Sequence, residues 1–79
     1  MEEVLKELIE YYKEKNCTIT YNEKEDNIEF TINVKINRKS YIEDLTIKKT
    51  FISEIHKEFI KNGINYNLHN AYDKYLRGE

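Results

Sequence analysis

From Ile28 to Ile36 the chain reads IEFTINVKI, with Ile28, Phe30, Ile32, Val34 and Ile36 alternating without a break with Glu29, Thr31, Asn33 and Lys35. A period of two over nine residues is the signature of a β-strand with one face in a core and the other in water. Such a strand needs neighbours to pair with and a cover for its apolar face, so the rest of a chain this short must supply both.

The neighbours are legible on either side. Cys17, Ile19 and Tyr21 alternate with Thr18, Thr20 and Asn22, which predicts a first strand, and Glu23 to Asn27 is a polar turn into the central one. Asn37 to Lys39 is a second turn, since Asn tolerates the left-handed backbone of a tight hairpin, and a third strand follows from Tyr41 to Ile47. If Asn37 and Arg38 form the turn, Val34 faces Tyr41, Phe30 faces Leu45, Ile28 faces Ile47 and Glu43 stands opposite Ile32. The cover is helical. Val4, Leu5, Leu8, Ile9 and Tyr12 recur at helical spacing. Phe51, Ile52, Ile55, Phe59 and Ile60 form a second stripe, with Thr50 or Thr46 as N-cap and Gly63 as the residue after the helix end. Leu68, Ala71, Tyr72, Tyr75 and Leu76 predict a short last helix ending at Gly78. The expected fold is therefore α+β in the order α-β-β-β-α-α: one domain over residues 1–79, with a three-stranded antiparallel meander and its helices on one face.

Seventy-nine residues allow one small core. With a single cysteine, Cys17, no internal disulfide forms, and no secretory pattern or membrane-length apolar run is present, so the expectation is a cytoplasmic protein. Isoleucine, lysine, asparagine and tyrosine are abundant and proline and tryptophan absent, a usage that suggests an AT-rich genome such as that of a phage or mobile element. The net charge of −2 hides an asymmetry: residues 1–30 carry four lysines against nine acids, and residues 31–79 carry nine basic residues against six acids. That distribution predicts separate acidic and basic patches on different faces rather than a nucleic-acid surface all round.

Convergent chemistry is sparse. His56 has Glu54 and Glu58 near it in sequence but no nucleophile beside it, and His69 with Asp73 makes a two-ligand spacing without a third ligand. Cys17 opens a strand in core register, which reads as a structural thiol. The only glycines, Gly63 and Gly78, stand at expected helix ends, so no phosphate-cradling loop exists. The expectation is a binding protein, with no catalytic residues, no metal and no cofactor.

Two families bear on what is bound. The stretch from Phe30 to Lys49, FTINVKINRKSYIEDLTIKK, resembles the double-stranded-RNA-binding domain in its alternating strand, Asn-containing hairpin, aromatic opening the third strand and lysine pair before the closing helix. That resemblance implies phosphate contacts by Lys48 and Lys49. A nucleic-acid-binding module would also have the basic residues Lys35, Arg38 and Lys39 to use. The family's third lysine falls on Ile52, and its groove-reading loop is here the acidic EKEDN. The element order and the run Phe59, Ile60, Lys61, Asn62, Gly63, Ile64, Asn65, then Tyr72, resemble small phage-encoded anti-CRISPR proteins that block an RNA-guided nuclease. This second resemblance implies an inhibitor that mimics nucleic acid with an acidic surface. In this chain the acidic surface would be Glu23, Glu25, Asp26 and Glu29, or the exposed face of the first helix, with Tyr66, Tyr72 and Tyr75 as candidate aromatic anchors. The partner expected is a host defence nuclease or another protein with a basic groove; nucleic acid itself is the alternative, and no membrane is involved.

Overall fold

The computed structural model describes residues 1–79. Helix α1 spans Glu2–Lys13, strands β1, β2 and β3 span Cys17–Glu23, Asn27–Ile36 and Lys39–Lys48, a short 3-10 turn covers Lys49–Phe51, and helix α2 spans Lys57–Leu76. The strands form one antiparallel sheet in the order β1-β2-β3. The register follows the apolar alternation, with Val34 opposite Tyr41, Ile32 opposite Glu43, Phe30 opposite Leu45 and Ile28 opposite Ile47. Asn37 sits at φ 57° in the turn between β2 and β3, and Asn16 at φ 58° between α1 and β1. Both positions need the left-handed region, which asparagine enters more readily than most residues.

Both helices lie on one face of the sheet. Every apolar residue of the β2 alternation is buried there, joined by Val4, Leu5, Leu8 and Tyr12 of α1, Cys17 and Ile19 of β1, and Ile60, Ile64 and Ala71 of α2. No helix is long and apolar enough to cross a membrane.

The two expected closing helices are one. Residues 57–76 run without interruption through Gly63, which is no C-cap. Ile60, Ile64, Asn67 and Ala71 are the buried residues of α2, spaced four, three and four apart, a single stripe that crosses the glycine. Gly63 serves close approach instead: a β-carbon there would stand 3.2 Å from Leu45 Cδ2. The second helix also starts later than expected, at Lys57 after His56, with Thr46 in β3 and Thr50 in the 3-10 turn. Of Phe51, Ile52, Ile55, Phe59 and Ile60, only Ile52 and Ile60 are buried, while Ile55 is 90% exposed in the loop ahead of the helix. Leu76, expected in the last apolar stripe, is exposed as well.

Because Ile64 is fully buried in a continuous helix and not in a turn, Ile64→Ala is expected to destabilise the protein by about 2 to 4 kcal/mol, with far-UV helicity retained below the transition. Urea unfolding checks this; a loss under about 1 kcal/mol would show that the Ile64 side chain is not in the core.

Candidate binding surfaces

The β1–β2 turn is closed by the Lys24 N–H donating to the Asn27 carbonyl at 2.8 Å, which holds Glu25 and Asp26 at its exposed tip. Glu29 points from β2 to the face of the sheet that no helix covers, where it borders a shallow depression of about 340 Å³ with Asn22, Thr31, Asp44 and Thr46. Glu23, at the end of β1, is paired with Lys49 at 2.8 Å.

That ion pair corrects the expected separation of charges. Lys48 stands opposite Asn27 in the register, and the Lys49 N–H donates to the Asp26 carbonyl at 2.9 Å, so the basic pair from the second half of the chain abuts the acidic turn from the first. Lys48 and Lys49 line one polar recess with Glu25, Asp26 and Asn27. Arg38 and Lys39 sit at the opposite end of the sheet, about 30 Å away along β3, with Lys35 next to them opposite Ser40. The five basic residues thus form two groups, one of them beside carboxylates.

A charge gradient does run along the molecule, but the helices organise it. The Lys35 N–H donates to the Asn16 carbonyl at 3.1 Å, placing the end of α1 beside the β2–β3 turn, so its N-terminal Glu2 and Glu3 return toward the acidic turn. The end of α2 reaches the same β2–β3 turn, where Tyr75 contacts Asn37 and the Tyr41 hydroxyl donates to the Glu79 carbonyl at 2.8 Å. Both helices therefore point their N-termini to the acidic end. Their first turns carry Glu2, Glu3 and Glu58 and their last turns Lys13 and Lys74, the arrangement that complements each helix dipole.

The three tyrosines do not form one surface. Tyr66 and Tyr72 are six residues apart on α2, about 120° round the helix, and Tyr75 is partly buried against the core. Another tyrosine carries a structural role the sequence did not reveal. Tyr12 is buried, and its hydroxyl donates to Asn65 Oδ1 at 2.8 Å, tying α1 to α2; burial pushes its pKa up to about 12. Cys17 is buried as expected, and burial pushes its thiol up to about 11.

Two polar pairs bridge elements distant in sequence. Lys57 contacts Glu7 and lies 3.0 Å from Glu54; the hydrogen bond and charge of Lys57 hold the Glu7 carboxyl below its usual range, and its bonds to Glu7 and Glu54 raise the Lys57 ammonium. Lys74 reaches Glu43 at 2.7 Å, where the hydrogen bond and charge of Glu43 raise the ammonium. Glu43 points to the helix-covered side of β3 with a side chain only 11% exposed, which its place opposite Ile32 requires.

Beside His56 stands a hydroxyl from the same turn: Ser53 Oγ lies 2.9 Å from its Nδ1, and the ring of Phe51 meets the imidazole edge to face. The His56 N–H also donates to the Ser53 carbonyl at 3.1 Å, so the pair is built by the turn that leads into α2. His69 lies 4.0 Å from Asp73 with both side chains largely in solvent. Comparison of the chain with protein-family models, with curated proteins and with solved structures finds no match.

Proposed function

We propose that this chain is a binding protein of phage or mobile-element origin that inhibits a host defence nuclease of the CRISPR type by setting its acidic end into the groove the enzyme uses for nucleic acid. The observation that carries this reading is the closed β1–β2 turn, which presents Glu25 and Asp26 beyond the sheet at the end where Glu2 and Glu3 also lie. Carboxylates on a turn held by two paired strands enter a basic groove with little loss of conformational freedom, and their field speeds the encounter. The uncovered face of the sheet continues the surface through Glu29 and Asp44.

The alternative is a nucleic-acid-binding accessory module using Lys35, Arg38, Lys39, Lys48 and Lys49. It is the weaker reading, because a phosphate backbone reaching Lys48 and Lys49 meets Glu25 and Asp26 in the same recess.

The test is DNA cleavage by purified RNA-guided nucleases with and without the protein. The parent should suppress cleavage near stoichiometry. The double variant Glu25→Lys with Asp26→Lys should fold normally and inhibit at least about tenfold less well at low salt, mainly through slower association. Equal inhibition by the two proteins would remove the acidic turn from the contact surface, and absence of inhibition by the parent would remove the function.

A further inference from the structure

The two edges of the sheet are not alike. At β1 the outward-facing backbone belongs to Cys17 and Ile19, which are almost wholly buried, and to Tyr21 and Glu23 at the far end, so only part of that edge is open. At β3 the edge is open. Antiparallel pairing alternates hydrogen-bonded and outward-facing residues, and the Lys49 N–H to Asp26 carbonyl bond assigns the odd-numbered residues of this strand to the partner β2. The even-numbered residues Ser40, Ile42, Asp44, Thr46 and Lys48 therefore turn their N–H and C=O groups outward, and all five are exposed. A ten-residue edge with no covering element is a template for another strand.

The same side of the molecule carries exposed apolar side chains. Gly63 and Lys74 of α2 face β3 through Leu45 and Glu43, and Phe59 and Tyr66 lie further round the helix on that flank, seven residues apart and so nearly in line. Tyr66 is 69% exposed and Phe59 54%, and the Phe59 ring packs at 5.3 Å from that of Phe51, which is exposed as well.

We infer that the occupant of this edge is a second copy of the chain, paired antiparallel through β3 about a two-fold axis at Thr46. Charge complementarity supports this partner and this register. With Thr46 opposite Thr46, Asp44 of each copy falls opposite Lys48 of the other and Leu45 opposite Ile47, so opposite charges meet twice, a threonine pair sits on the axis and apolar residues meet on the helix side. Centring on Asp44 would instead set two carboxylates face to face. The outward amides and carbonyls of Asp44, Thr46 and Lys48 then form roughly six inter-chain hydrogen bonds and extend the sheet to six strands, while Phe59 and Tyr66 of the two copies approach over one face.

Sedimentation of the protein alone tests this independently of any nuclease. At roughly 100 µM the parent should sediment as a dimer, in the range where small interfaces associate. Asp44→Lys sets lysines opposite Lys48 and should weaken the dimer by at least about tenfold, and adding Lys48→Asp to that variant should restore it. Thr46→Pro removes only an outward amide, so it should keep the circular dichroism of the parent and sediment as a monomer. A monomeric parent at that concentration overturns the proposal, as does a dimer that neither Asp44→Lys nor Thr46→Pro weakens.

Discussion

Phe30→Ala is expected to remove about 3 to 5 kcal/mol of stability, much of what a domain of this size holds. Phe30 is fully buried at the middle of the central strand, opposite Leu45 on one side and Tyr21 on the other, with the Tyr21 ring 6.5 Å from its own. Truncation leaves a void bounded by paired backbone on both sides, which relaxes little, so a cavity cost adds to the lost transfer free energy. Thr31, the next residue, points to the uncovered face and is exposed. Its change to Ala should stay within about 0.5 kcal/mol. Chemical denaturation of the two variants measures the difference, and equal losses would place the core on the wrong face of the sheet.

Raising the pH is expected to have an effect of similar size. Tyr12 and Cys17 ionise at about 12 and about 11 in the folded chain against 10.0 and 9.0 without burial. Each folded state thus holds its proton more tightly than the unfolded chain. The stability this represents is fully present below the unfolded values and is lost as the pH rises from about 9 toward 12. Shifts of that size correspond to about 2 to 3 kcal/mol for each group, so the two together approach the whole stability of a small domain. Denaturation midpoints measured from pH 8 upward should hold steady to about 9 and then fall. In Cys17→Ala the fall should begin near pH 10, because the thiol's share is gone and the remaining raised groups, Tyr12 with the Lys57 and Lys74 ammoniums, titrate above that point. A midpoint constant to pH 11 in the parent would show that neither group is shielded from water.

The Cys17 and Tyr12 effects differ in how far they were legible beforehand. Cys17 stands in core register on a strand the alternation predicts, so its burial follows from local pattern. The Tyr12 hydroxyl bond to Asn65 joins residues 53 positions apart, and nothing in either neighbourhood announces it. Asn65 follows the helix end expected at Gly63, and only in a continuous helix does its side chain face α1.

The amino-acid sequence by itself determined the sheet: its three strands, the apolar face, the turn at Asn37 and every β2–β3 partner. Period-two alternation states which face is buried, and a two-residue turn leaves one register in which the apolar residues of both strands coincide. It determined α1 for the same kind of reason, a stripe repeating at helical spacing. Tertiary structure alone decided the rest. Gly63 reads locally as a helix end, yet it lies mid-helix because the buried stripe from Ile60 to Ala71 runs across it against the sheet, with Leu45 packed close by. Phe51 and Ile55 fit a helical stripe by spacing, yet the chain must first turn back over the sheet after β3, and that loop leaves them outside. The acidic and basic halves of the sequence meet at one end of the sheet, because antiparallel pairing carries Lys48 and Lys49 back beside the β1–β2 turn. In each case the deciding contact joins residues far apart in the chain, and local propensity carries no information about a neighbour that only the folded state supplies.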